Sequence, residues 1–159
     1  MKTTKILKTN APLGKSFLVC LFILILLLSA IFAKAQTTYY SRATGNWNGA
    51  VWSTSALGTA TAATITVNDN VIIQTGNTIT VNTTSATCAS LSLGTGNGTA
   101  TLNFASSGSP SLNVNGALTI GDAGNKNRAG AVSFTNGSTL VCGSLSLGAI
   151  ATQVSSLDM

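Results

Sequence analysis

The sequence predicts an all-β chain, a parallel β-solenoid behind a signal peptide, and three observations carry that expectation. The first is a repeat. Cys88-Ala89-Ser90-Leu91-Ser92-Leu93-Gly94 returns as Asn115-Gly116-Ala117-Leu118-Thr119-Ile120-Gly121 and as Cys142-Gly143-Ser144-Leu145-Ser146-Leu147-Gly148, at a constant interval of 27 residues. A fixed period of this size marks architectures in which each unit covers the apolar face of the next. The second is alternation: Leu91/Leu93, Leu102/Phe104, Leu112/Val114, Leu118/Ile120, Val132/Phe134 and Leu140/Cys142 each enclose one residue. That is the period of a strand with one buried face. The third is what separates the pairs: Gly94 to Gly98, Ser106 to Pro110, Gly121 to Gly130 and Asn136-Gly137-Ser138, all rich in residues that tolerate sharp corners.

Each repeat then reads as one coil of three short strands and three corners, with neighbouring coils about 4.8 Å apart. Leu91, Leu118 and Leu145 are expected in one row. Ile65/Val67, Val71/Ile73 and Ile79/Val81 read as an earlier, less regular coil. About three and a half coils follow from the period, the array being cut short at its C-terminal end. An antiparallel β-sandwich is the rival fold, since many short strands with regular turns also suit it.

The chain divides into a signal peptide over 1–35, an N-terminal cap segment over 36–63 and repeats over 64–159. Lys2, Lys5, Lys8 and Lys15 make a basic start, and Phe17 to Phe32 is uncharged. Ala33-Lys34-Ala35 supplies a small-x-small site, which places cleavage between Ala35 and Gln36. A membrane-spanning helix wants about 20 apolar residues, more than this run has. Cys20 lies too early in the run to accept a lipid. The segment carries off five of the eight basic residues, leaving Arg42, Lys126 and Arg128 against Asp69, Asp122 and Asp158. A mature chain so balanced argues against nucleic acid and against an anionic membrane surface as partners. A near-absence of charge also suits stacked strands, where a charge would repel its copy and Asn, Ser and Thr can form hydrogen-bonded ladders.

Cys88 and Cys142 are expected to stay unpaired, although an exported chain invites a disulfide. Two strand spacings would hold them about 9.6 Å apart, whereas a bridge needs Cα atoms within about 7 Å. Val114 or Asn115 is expected between them, because the second copy carries one extra residue.

The cap segment holds Tyr39, Tyr40, Trp47 and Trp52. Large aromatics cover apolar surface efficiently, about 150–250 Å² each, and an open array end needs cover. Tyr40, Trp47 and Trp52 could instead form a platform for a glycan.

Tyr39-Tyr40-Ser41-Arg42, then Gly45-x-Trp47 and Trp52-Ser53, resemble the front of large secreted, adhesin-like cell-surface proteins of Bacteroidetes bacteria. Ile65 to Ile73, Asn77 to Val81 and Cys88-Ala89-Ser90-Leu91 are similar to the segment that follows in those proteins. The resemblance covers roughly Thr38 to Leu93. It implies a repetitive β-strand molecule, export by the type IX route, and no catalytic residues at these positions; no C-terminal sorting domain is found.

Chemistry is thinly represented. Glycoside cleavage generally uses two carboxylates flanking the bond, and stacking would hold Asp69 and Asp122 near about 10 Å apart. A base built from Lys126 or Arg128 with Asp122 reads more simply as a solubilised turn. There is no His for general base work, no Ser-His-Asp set and no zinc-ligand cluster. Asn68-Asp69-Asn70 and Gly121 to Asn125 offer one carboxylate each, where calcium takes about six to eight oxygens. Gly94 to Gly98 lacks the Lys-Ser/Thr of a phosphate loop. Asn82-Thr83-Thr84 matches a glycosylation sequon that carries little weight in a bacterial protein.

No catalytic residue, metal or cofactor is therefore expected. The expectation is a non-catalytic structural or adhesive module, secreted or on the cell surface, with a surface glycan or protein as partner. The alternative is a carbohydrate-binding accessory module of a polysaccharide-degrading enzyme. A β-helix enzyme whose catalytic coils lie beyond Met159 is the least favoured reading.

Overall fold

The structure, a computed structural model, describes residues 19–23, 35–121, 128–148 and 156–158. The chain falls into two compact units, Met1–Ala35 and Gln36–Met159. Of the first, residues 19–23 and Ala35 are described, and residues 19–23 form a short helical stretch with exposed side chains. Among the described residues no helix is long and apolar enough to cross a membrane.

Among its described residues the second unit has twelve strands in two sheets. The larger sheet has the order β11-β9-β7-β4-β1-β3: Thr139–Leu147, Ser111–Ile120, Ser90–Leu93, Asn70–Ile73, Thr38–Ser41 and Trp52–Ser53. β6 (Ala86–Cys88) also pairs with β9. The smaller sheet has the order β12-β10-β8-β5-β2: Ser156–Asp158, Arg128–Ser133, Gly98–Phe104, Thr78–Val81 and Gly45–Asn46.

Two fold expectations are corrected. The larger sheet is mixed, with mostly parallel strands, the second is parallel, and no closed solenoid is formed. The predominance of parallel pairs equally excludes the antiparallel sandwich. Two local causes account for much of the difference. β3 turns back to pair antiparallel with β1, with Tyr40 opposite Ser53 and Ser41 opposite Trp52. And what the sequence presents as two short strands with a corner between them, Leu112/Val114 and Leu118/Ile120, is one ten-residue strand, β9.

The 27-residue period survives as strand register. Leu91 pairs with Leu118 and Leu118 with Leu145; Leu93, Ile120 and Leu147 form the next row. In the smaller sheet Ile79, Leu102 and Val132 also share a row, but at intervals of 23 and 30 residues. The inward members of both sheets merge into one apolar cluster. Cys88 lies beside Val114, and Val114 beside Cys142. The offset is thus 26 residues before the extra residue at Asn115-Gly116 and 27 after it. A register shift between Cys142 and Ser144 absorbs the same extra residue on the other side of β9. There the backbones approach closely: a Cβ on Gly143 would sit 2.7 Å from the Asn115 carbonyl oxygen.

Ile65 and Val67, expected in a strand, lie in the loop before β4, with Ile65 packed on the core and Val67 exposed. Gly94 ends β7 at φ +84°, a left-handed conformation, and any Cβ there would run into the Ala129 carbonyl. Both constraints specify glycine.

Leu118 is covered on both sides and 1% exposed, whereas Leu145 in the same row is 46% exposed. Leu118→Ala should therefore lower unfolding free energy by about 2–5 kcal/mol, and Leu145→Ala by about 1 kcal/mol or less, in proportion to its smaller burial. Urea denaturation of the chain from Gln36 checks the contrast.

Candidate functional site

Two of the residues expected to form a glycan platform, Trp47 and Trp52, come together inside the core, with Tyr40 apart from them on the opposite face of β1. Trp52 follows Val51 into the core and is fully buried; Trp47 is 5% exposed. Their rings meet edge to face, with centroids 5.4 Å apart and planes at 71°. The Trp52 Nε1–H donates to the Trp47 carbonyl at 2.7 Å, so the indole's polar atom is satisfied inside the cluster. Tyr40 neighbours Tyr39, which packs on the core, so strand alternation sets Tyr40 on the opposite face. It is half-buried beside Ile72 and Ser53. Neither tryptophan offers a face to a sugar, and the pair seals the apolar cluster near β2 and β3.

A groove of about 350 Å³ opens beside the Trp47 segment. Asn48, Thr64, Thr83, Ser85 and Thr87 line it, with Ala62, Ala63 and Ile65 supplying apolar surface. Asn48 is held in place by Asn82, whose Nδ2–H donates to the Asn48 Oδ1 at 3.0 Å. Hydroxyls and amides around a shallow apolar floor can hydrogen-bond a neutral polar ligand; the lining contains no ionisable group for proton transfer.

A polar clasp centred on Arg42 was not singled out by the sequence. Arg42 donates from Nε to the Gly58 carbonyl at 2.8 Å. From Nη1 it donates to the Ala56 carbonyl at 2.7 Å and the Gln74 Oε1 at 3.0 Å. Gln74 adds a bond from Nε2 to the Ala56 carbonyl. Fully buried Ser41 accepts at Oγ from the Gln74 N–H and the Asn77 Nδ2–H. These bonds tie the loop after β3 to the turn between β4 and β5. Arg42, Gln74, Thr75, Asn77, Thr95 and Gly96 border a second groove of about 300 Å³. The available signal was that Arg42 is the lone basic residue between Gln36 and Lys126.

The candidate carboxylates divide. Asp69 is buried and engaged locally: its carboxylate accepts from the Thr66 N–H at 2.8 Å, the Thr66 hydroxyl at 2.6 Å and the Thr37 N–H at 3.3 Å. It braces the loop into β4. Asp122 and Lys126, along with most of the Gly121 to Asn125 loop, lie outside the described residues, as do the side chains of Arg128 and Asp158. Among the described residues no three His, Cys, Asp or Glu side chains gather as metal ligands. At the expected cleavage position, Ala35 and Gln36 are exposed and lie in no helix or strand.

Cys88 and Cys142 are both free thiols. Burial pushes the Cys88 thiol up from 9.0 to about 12, because the apolar interior disfavours the thiolate. Cys142 is partly exposed on β11.

No protein-family model, no curated protein and no solved structure matches this chain.

Two outcomes are expected for the chain from Gln36. Trp52→Phe removes the donor to the Trp47 carbonyl and should cost about 1–3 kcal/mol, read from urea unfolding. For Cys88 the folded state holds its proton between pH 9 and 12, where the unfolded state releases it. Its contribution is complete below about pH 9 and falls as pH rises, by up to about 1.4 kcal/mol per pH unit. Cys88→Ala should flatten that part of the stability–pH curve relative to the parent chain. An equal slope in both would show that other groups set it.

Proposed function

We propose that the chain from Gln36 onward is a non-catalytic structural or adhesive repeat module of an exported bacterial cell-surface protein. The observation that carries this reading is the outer face of the sheets. Ser92, Thr119 and Ser146 align across β7, β9 and β11, and Thr80, Asn103 and Ser133 across β5, β8 and β10. Uncharged hydroxyls and amides thus repeat at the strand spacing over an extended surface, a pattern suited to many weak hydrogen bonds with a glycan or protein partner. The neutral balance of the described side chains leaves long-range steering a small part in such contacts.

A second reading, a carbohydrate-binding accessory module, is favoured by one observation, the groove bordered by Asn48, Thr83 and Thr87. In that reading the ligand enters the groove beside Trp47 and does not stack on the indoles.

Three measurements test these readings. Secreted material should begin at Gln36 by mass spectrometry; an intact Met1 would remove the export premise. Beads coated with the chain from Gln36 should adhere to a panel of surface polysaccharides and matrix proteins. Ser92→Lys with Asn103→Lys, one on each sheet and not in register with each other, should reduce adhesion at least about tenfold, about 1.4 kcal/mol, with an unchanged unfolding midpoint. Adhesion lost instead in Asn48→Ala with Thr87→Ala would favour the groove, and release of shortened glycans would refute a non-catalytic role.

A further inference from the structure

The clasp leaves the charge of Arg42 without a counter-charge. A guanidinium carries five N–H groups and accepts nothing. Three are engaged: Nε with the Gly58 carbonyl, and Nη1 with the Ala56 carbonyl and the Gln74 Oε1. All three acceptors are neutral oxygens, and the two N–H groups on Nη2 have no acceptor among the described residues. Arg42 is half-buried, where an opposite charge within reach counts for more than in open water. The described carboxylate, Asp69, is instead turned to Thr66 and Thr37.

Arg42 lines the second groove, of about 300 Å³, and every other side chain there is an amide or a hydroxyl. The Thr75 hydroxyl accepts the Gly96 N–H at 3.0 Å, which leaves its own O–H to donate. Thr95, exposed, sets a second hydroxyl at the rim. These groups are held before any ligand arrives. The Arg42 N–H donates to the Val51 carbonyl at 2.7 Å. Gln74 is fixed through both ends of its amide, and Asn77 is tied by Nδ2 to the Ser41 carbonyl and hydroxyl. Binding need not first order a mobile arginine.

We propose that this groove binds an oxyanion, a carboxylate or a sulfate ester, carried on an acidic polysaccharide. Arg42 Nη2 donates to the anionic oxygens, and the Thr75 hydroxyl donates to a neighbouring sugar oxygen. Charge-assisted bonds of this kind are the strong ones, and arginine suits paired oxygens on one centre. The lining argues for a sugar over an acidic peptide. A bound peptide takes its selectivity from pockets for its side chains, and this groove has no apolar wall to make one. The groove beside Trp47 is different in kind, since it holds no ionisable side chain. The inference rests on the reading of the chain as a surface-binding module and names the chemistry of one partner.

The test titrates the chain from Gln36, followed by NMR, with a galacturonate trisaccharide, its uncharged methyl ester, a sulfated galactose trisaccharide and inorganic sulfate. A charged sugar should shift the Arg42 side-chain signals and the Thr95 and Gly96 amides saturably, and the one that binds identifies the anion. It should bind about tenfold or more tightly than the methyl ester or inorganic sulfate, and added salt should weaken it. Because Arg42 also holds a loop, variants at the exposed rim carry the test. Thr95→Glu sets a carboxylate beside Arg42 and should weaken binding about tenfold or more, with an unchanged unfolding midpoint. Thr95→Gln, of the same size and uncharged, should bind well above Thr95→Glu. The proposal is overturned if neither charged sugar binds, or if the methyl ester or inorganic sulfate binds as tightly. It is overturned equally if Thr95→Glu binds like the parent, or if an aspartate-rich peptide binds more tightly than either sugar. Failure here with bead adhesion intact would remove this site and leave the adhesive reading standing.

Discussion

Parallel register between strands of like sequence is the constraint on which this fold depends. When β7, β9 and β11 align, Leu91, Leu118 and Leu145 share a row, and so do Leu93, Ile120 and Leu147. A slip of one residue would turn every one of these side chains to the opposite face. Serines and threonines would then enter the core while leucines faced water. The repeat therefore encodes a register as well as a composition. The irregularity at Asn115-Gly116, opposite Gly143, falls between the inner rows and leaves both sides of each strand in phase. Glycine is required there because the backbones approach too closely for a side chain.

Register of this kind was legible before any coordinates, because it needs only a constant interval and a period of two. The rows of leucine, and the position of Cys88 and Cys142 on either side of one intervening residue, follow from counting. What counting could not supply was the path of the chain between the rows. Asn115-Gly116 has the composition of a corner, yet β9 passes through it as one strand because β11 continues alongside and β6 and β7 pair with its two halves. The backward turn of β3 onto β1 depends on tertiary pairing between segments with no internal similarity, so no repeat announces it. Those two features separate the observed pair of sheets from the closed solenoid that the interval suggested.

The candidate site was legible to a smaller degree. Clustering of aromatics between Tyr39 and Trp52 is visible in the sequence, but exposure is not, and the same residues suit a platform or a seal. The decisive detail is the bond from the Trp52 indole to the Trp47 carbonyl, which lets an aromatic with a polar atom lie fully inside. The clasp around Arg42 was invisible for a different reason. Two of its three acceptors are backbone carbonyls at Ala56 and Gly58, in a loop whose side chains give no hint of it, and the third is the Gln74 side-chain amide. Asp69 likewise has the look of a ligand, but its lone pairs are directed at Thr66 and Thr37 nearby.

The choice of partners at Arg42 has a consequence for the environments this molecule can withstand. A guanidinium closed on a carboxylate is released when acid neutralises that carboxylate, and salt weakens the pair if it lies at the surface. Amide carbonyls do not titrate, so acid has no acceptor to neutralise at this clasp. The loop it holds is therefore fastened without any carboxylate whose protonation would let it go.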